Sequence, residues 1–169
     1  MRDVTSANFG LLIAFVIPGF VLLWGIEPYS GSVQNWVAPE SGPHATVGGF
    51  LYVTVASVGL GQLVSTLRWL VIDSMHHRTG IRKPTWNFRR LKDKVDAFDH
   101  LIQIHYRYYQ WHANCLVAAT LSACLRWSAN GIRLSEFLLL LAVDALLFVG
   151  SRDTLDKYYR RVEELLYRR

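Results

Sequence analysis

Cysteine is scarce in this sequence, which excludes a framework of disulfide bonds. Only Cys115 and Cys124 occur among the 169 residues. They are nine positions apart on what we predict to be one helix, so their side chains point to opposite faces. Two thiols in that arrangement form neither a mutual disulfide nor a two-ligand metal site.

The motifs of well-known enzymes are missing as well. The sequence has no P-loop, no Gly-x-Ser-x-Gly and no His-Glu-x-x-His. Its six histidines form no metal signature, since Asp96 and His100 share a helical face but two ligands are too few for a site. We therefore expect no enzymatic activity, no cofactor and no metal.

Charged residues are absent or rare in four stretches, at about 9–26, 47–67, 109–127 and 134–151. Each has roughly 18 to 21 residues, close to the ~20 that cross a hydrocarbon layer. A soluble helical bundle would have a polar stripe along each helix. The sequence therefore predicts an all-α integral membrane protein, a single domain over residues 1–169 with four transmembrane helices.

Lysine and arginine are absent from the loop at 27–46, and this absence sets the predicted topology. Eight of these residues lie in the region 73–108, and six more follow Ser151. Because positive loops stay on the cytoplasmic side, we expect 73–108, 152–169 and both termini to be cytoplasmic. No small-x-small cleavage site follows the first stretch, so we expect it to be retained in a multi-pass protein of the bacterial inner membrane.

Apolar residues recur at alternating spacings of three and four over most of the region after Pro84. This pattern predicts one long helix at 86–127, and a second helix in the tail at 152–169. A 3.5-residue period indicates coiled-coil-like packing, either between these two helices or between subunits. The two predicted seams are Phe88, Leu91, Val95, Phe98, Ile102, His105, Tyr109, His112, Leu116, Ala119 and Ala123, and Leu155, Tyr159, Val162 and Leu166.

Small residues repeat every fourth position on the second span, at Ser57, Gly61 and Ser65. The third span repeats this spacing at Ala119 and Ala123. Small residues in such rows let helix backbones approach closely in lipid. The pattern predicts tight helix packing but does not decide whether it occurs within one chain or between chains.

Proline also marks local features of the predicted fold. Pro18, followed by Gly19, predicts a kink in the first helix, because proline removes one backbone hydrogen bond. The loop at 28–46 contains three prolines and several glycines, so we expect it to lack a long helix or strand.

Asp144 is the strongest candidate for a functional residue. It lies near the middle of the fourth apolar stretch, where a charge costs ~2.5–3.5 kcal/mol. Its helical phase matches that of Val162, so it should face protein and not lipid. A pore-lining or proton-handling role, with Gln62 and His112 further along a hydrated route, competes with a purely structural carboxyl bonded to Ser57 or Thr120.

The basic stretch at 82–94 allows two interpretations. Trp86 and Phe88 within it suggest stacking on nucleic acid. We favour the alternative that these charges set the topology and touch anionic lipid, which makes a nucleic-acid partner unlikely on sequence grounds.

These features lead to three functional hypotheses. The first is a homo-oligomeric inner-membrane protein that forms a pore or perturbs the bilayer. The second is a non-conducting scaffold that recruits a cytosolic protein through 86–108 and 152–169. The third is a small proton-coupled transporter, for which no inverted repeat is visible. In layout alone, the chain resembles membrane accessory or effector proteins of bacterial antiviral defence systems, with which it shares no motif.

Overall fold

The computed structural model describes residues 4–37, 47–92 and 94–167, without the side chains of 4–9, 11 and 12. These described residues form helices and their connections, with no β-strand, so the predicted all-α class is confirmed. The helices are α1 (Val4–Ile26), α2 (Gly31–Val37), α3 (Val47–Arg68), α4 (Ser74–Arg78), α5 (Val95–Leu101), α6 (Arg107–Asn130) and α7 (Leu134–Tyr167).

Two π-helical turns join neighbouring helices into longer rods. The turn Trp69–Asp73 connects α3 to α4, and the turn Ile102–Tyr106 connects α5 to α6. The chain therefore has four long helical rods, at 4–26, 47–78, 95–130 and 134–167. Such turns insert one extra residue into a helix and are frequent at functional sites.

Helix α6 occupies the centre of the bundle. It packs against α1, α3 and α7, and α1 also packs along α3. Because other helices cover α6, it tolerates polar residues that a lipid-facing helix would not. Asn114 is fully buried on α6 and donates a hydrogen bond from Nδ2 to the Ala14 carbonyl oxygen of α1, at 2.8 Å.

Two rods among the described residues are long and apolar enough to cross a membrane. They are Val47–Arg78, with 32 residues, and Leu134–Tyr167, with 34 residues, and 18-residue windows within them have mean hydropathies of 1.6 and 2.0. In α1 the apolar stretch with described side chains, Ile13–Tyr29, is shorter. Two candidate spans therefore follow from the structure, whereas four were predicted.

The predicted helix at 86–127 is wrong at its start. The rod begins at Val95, and the preceding residues form an extended segment and a 3₁₀ turn, Phe88–Leu91. Asn87 caps this turn by accepting a hydrogen bond from the Arg89 backbone N–H at 3.2 Å. Trp86 packs against Tyr158 of α7, and this tertiary contact overrides the helical spacing.

The two seams pack against each other within one chain, as one of the two interpretations predicted. On α7 the buried seam residues are Tyr158, Val162 and Leu166. They pack against the segment at 86–91 and against the first turns of the rod at 95–130. Tyr158 is more deeply buried than the predicted seam residue Tyr159. Phe88 and Val95, which were predicted in the seam, are exposed.

The predicted close helix contact lies between α1 and α3. Gly19 of α1 and Gly61 of α3 are both buried at the crossing. A Cβ atom at Gly19 would overlap the Ser57 carbonyl oxygen, and one at Gly61 would overlap the Phe15 carbonyl oxygen. The Ser57 and Gly61 row is therefore used inside the chain, with Ser65 half-buried beside it.

Helix α1 continues without a break through Pro18, which is almost fully buried. The predicted irregular loop begins with a 3₁₀ turn, Glu27–Tyr29, and the two-turn helix α2. Residues 38–46 of that loop lie outside the described residues.

Candidate functional site

One end of the bundle carries a surface that we call the basic platform. It consists of residues 78–92, α5 and the part of α7 after Ser151. The segment 78–92 crosses the end of α7 and places a series of cations on its outer side. The exposed cations of this segment are Arg78, Arg82, Lys83, Arg89, Arg90 and Lys92.

Hydrogen bonds fix the segment to α7 at several points. Arg152 donates to the Thr79 hydroxyl and carbonyl oxygens at 2.7 and 2.8 Å. Tyr167 donates its hydroxyl proton to the Thr85 carbonyl oxygen at 3.3 Å. Lys94 donates to the Leu165 carbonyl oxygen at 2.6 Å. The backbone that carries the cations is therefore held in one conformation.

An aromatic cluster lies beneath the segment. The Trp86 ring packs edge-on against Phe98, Tyr158 and Tyr159, with ring centroids 5.7–6.3 Å apart. Burial raises the pKa of Tyr158 to about 12, so its hydroxyl stays neutral at physiological pH. This cluster supports the platform through apolar contact and not through charge.

The cations of the platform divide into two groups. In α7, Lys157 pairs with Asp153 at 2.6 Å, and Arg160 pairs with Asp156 at 2.9 Å, each base lying four residues after its acid. By contrast, within the part of the chain that the structure describes, none of the six cations of 78–92 forms an ion pair.

A buried polar cluster joins the platform to the bundle. Arg68 donates to the Asp73 carboxylate at 2.9 Å, and the Tyr109 hydroxyl donates to the same carboxylate oxygen. His76 is fully buried, with its Nε2 atom 2.9 Å from the Ser151 hydroxyl oxygen.

Sequence reasoning missed this cluster for a geometric reason. Residues 68 and 73 are about 140° apart on an ideal α-helix, so nothing in their spacing predicts a pair. The π turn at Trp69–Asp73 brings positions i and i+5 onto one face and allows the ion pair. The sequence signal that could have predicted this cluster is the presence of two charged residues, Arg68 and Asp73, so close to an apolar span.

Asp144 faces protein, as its helical phase predicted. The Thr120 hydroxyl of α6 donates to its Oδ2 atom at 2.9 Å, so one of the two proposed partners is confirmed. The second proposed partner of Asp144, Ser57, packs at the crossing of α1 and α3. The Oδ1 atom of Asp144 is buried and has no hydrogen-bond partner among the described residues.

The other residues of the proposed hydrated route do not join Asp144. Gln62 lies on α3 with an exposed side chain. His112 packs against Gly150 of α7, and its Nδ1 atom lies 2.7 Å from the Tyr108 carbonyl oxygen. Among the residues that the structure describes, no hydrogen bond connects these side chains to Asp144.

Ala119 and Ala123 differ from the Ser57 row in that they are only partly buried. Both lie on α6 and line a groove between α1 and α7. Elsewhere in the described ranges, no cluster of three His, Cys, Asp or Glu side chains is placed to hold a metal. Cys115 and Cys124 are both free thiols.

Comparisons with protein families, with curated proteins and with solved structures give no match to this chain.

Proposed function

We propose that this chain is a multi-pass protein of the bacterial inner membrane that acts as a scaffold. Its bundle anchors the basic platform on the cytoplasmic side, and the platform docks an acidic cytosolic protein. The observation that carries the proposal is a set of six exposed cations, none of them in an ion pair among the described residues, on a segment anchored to α7.

The membrane location is supported by the exposure of the two apolar rods. A core helix of a soluble protein is mostly buried, but only 17% of the apolar window in 47–78 and 6% of that in 134–167 is buried. Large side chains such as Phe50, Leu63 and Leu146 are exposed on them. Exposed apolar surface on this scale is typical of lipid contact. Helices α1 and α6 pack between these rods, so we propose that they cross with them as spans 9–26 and 109–127.

The platform suits a protein partner better than lipid contact alone. The backbone that carries its cations is anchored to α7 at Thr79 and Thr85, so little backbone entropy is lost on binding. Phe88 is 57% exposed beside Arg89 and Arg90, and aromatic and arginine side chains dominate protein interfaces. Unpaired cations on such a surface attract a partner of opposite charge.

In-cell photo-cross-linking tests this proposal. A photoreactive residue at Phe88 should give a discrete adduct with one acidic protein. The double variant Arg89→Gln with Lys92→Gln should reduce the adduct about tenfold, because two charge contacts are lost. The matched control is Lys157→Gln with Arg160→Gln, which removes the same charge from residues that already have carboxylate partners.

Three outcomes would contradict docking. Adducts with lipid alone would leave the platform as a membrane-contacting surface. Adducts with nucleic acid would favour the stacking interpretation of Trp86 and Phe88. An equal loss in both double variants would mean that only the total charge matters.

A pore built from several copies is the second candidate. The unpartnered Oδ1 atom of Asp144 favours it, because a buried carboxyl oxygen without a partner is expensive in an apolar span. Two other features give weaker support for a pore. The Ser57 and Gly61 row and both apolar seams already pack against helices of the same chain, so they do not require a second copy. A homo-oligomer stays a prediction.

A further inference from the structure

The end of the bundle opposite the basic platform has an open groove between α1, α6 and α7. Its volume is about 510 Å³. Ala119 and Ala123 of α6 lie in its floor, Val21 forms part of one wall, and Leu139 and Val143 of α7 form the other. The groove is therefore apolar along most of its length and opens to the side of the bundle.

The mouth of the groove is polar. Asn130, Gly131, Arg133 and Glu136 lie there, where α6 ends and α7 begins. The Arg133 side chain is 83% exposed, and its nearest carboxylate oxygen, on Glu136, is 3.8 Å away. Arg133 therefore retains a largely available positive charge at the end of an apolar channel.

Arg126, also at this end, has its charge already compensated. Its Nη1 atom lies 2.8 Å from a Glu27 carboxylate oxygen, and its guanidinium stacks 4.0 Å from the centroid of a Trp24 ring. An anionic group that enters the mouth would therefore meet Arg133.

The shape of the groove suits a hydrocarbon chain. Its floor runs from Ala119 to Asn130, about 16 Å at the rise of an α-helix. A hydrocarbon chain is thin enough to lie along this floor, because carbon atoms in contact are only about 4 Å apart. The apolar walls and the cation at the polar end match the two parts of a phospholipid.

We propose that the groove binds a phospholipid, with one acyl chain along Ala119 and Ala123 and the phosphate at Arg133. This inference rests on the membrane location in the proposed function. It adds a bound lipid at the end of the molecule away from the platform. The apolar walls hold the chain, and the cation at the mouth fixes the headgroup.

The test is the lipid content of the full chain purified in mild detergent, measured by native mass spectrometry and by lipid extraction. The wild type should retain about one phospholipid per chain. Ala123→Phe fills the floor and should lower retention about tenfold, because several methylenes lose their contacts. Ala145→Phe is the matched control, since Ala145 is exposed on α7 and does not line the groove.

Arg133→Gln should weaken retention of the lipid without closing the groove. The inference is overturned if the wild type retains no lipid, or if Ala123→Phe and Ala145→Phe retain equal amounts. It is also overturned if Ala123→Phe converts a dimer to a monomer, since a second copy would then fill the groove. Recovery of the chain outside the membrane fraction would overturn the membrane location itself. Absence of lipid from the wild type, while the Phe88 adduct still forms, would overturn this inference alone.

Discussion

Asp144 illustrates what a single residue in an apolar span requires. Its depth and helical phase predicted a protein-facing carboxyl, and Thr120 does donate to it at 2.9 Å. The structure thus supplies one partner for one oxygen, and leaves the other oxygen without a partner among the described residues. A structural role and a role in ion passage make different predictions for the same substitutions.

We expect Asp144→Asn to fold and assemble normally, because asparagine is nearly isosteric and uncharged. If several copies form a pore, this variant should change ion flux in liposomes at matched protein levels. Asp144→Leu should lower stability by only about 0.5–1.5 kcal/mol, because the hydrogen bond between the two side chains is lost while the Thr120 hydroxyl still donates to the Leu116 carbonyl oxygen at 2.9 Å. Gln62→Leu is the control, since Gln62 is exposed on α3. Equal flux for wild type and Asp144→Asn would remove Asp144 from any conduction mechanism.

Gly61 offers a sharper test of packing at the residue scale. A methyl group there would overlap the Phe15 backbone, which cannot move aside as a side chain can. Gly61→Ala should therefore destabilise the α1–α3 contact by at least about 1–3 kcal/mol. Thermal unfolding in detergent measures the effect.

Gly59 provides the matched control on the same helix. A Cβ at Gly59 meets no atom within 4 Å. Gly59→Ala should be neutral or stabilise by about 0.5–1 kcal/mol, because alanine favours the helix. A similar loss of stability in both variants would mean that α3 does not pack through Gly61.

At the scale of elements, α7 connects the bundle to the basic platform. Leu155 is buried against Ile72 of the π turn and Ile81 of the platform segment. The first half of the same helix is largely exposed, and Leu146 there is 74% exposed. One helix therefore changes from a lipid-facing surface to a protein core within a few turns.

Leu155→Ala should cost about 2–5 kcal/mol, because it leaves a cavity in this core. It should also speed tryptic cleavage after Arg82, since Ile81 loses an anchoring contact. Leu146→Ala removes the same atoms from an exposed position and should leave cleavage unchanged. Equal cleavage rates in the two variants would indicate that the platform folds independently of this contact.

The rod at 95–130 shows that tertiary contacts can make a helix begin later than the apolar spacing of the sequence predicts. The 3–4 spacing before Val95 is real, but Asn87 caps a 3₁₀ turn and Trp86 enters the aromatic cluster. The free energy of burying a large aromatic ring exceeds the small preference for another two turns of helix. The start of the helix was therefore decided by contacts with α7.

At the scale of the whole molecule, the two ends of the bundle differ in charge. The platform end carries six exposed cations without an ion pair among the described residues, whereas at the other end Arg126 pairs with Glu27 and Arg133 lies 3.8 Å from Glu136. Positive segments remain in the cytoplasm during insertion. The fold therefore gathers the positive charges of the sequence at one end of the bundle.

The topology prediction follows from this asymmetry. A reporter fused after Arg169 should be active in the cytoplasm. With Cys115 and Cys124 replaced by serine, Ser32→Cys should react with an impermeant thiol reagent from outside, and Arg82→Cys should not. Labelling of Arg82→Cys from outside in intact cells would reverse the proposed orientation.

Composition and periodicity by themselves determined the helical class, the apolar stretches, the charge asymmetry and the inward direction of Asp144. These properties depend on local spacing or on the cost of placing a group in hydrocarbon, and both can be read from order along the chain. Tertiary structure alone decided which surface each small-residue row meets, where the rod at 95–130 begins, and how Arg68, Asp73 and His76 come together. Those outcomes depend on a π turn and on contacts between residues far apart in the chain, such as Gly61 with Phe15 and His76 with Ser151, which no local pattern encodes.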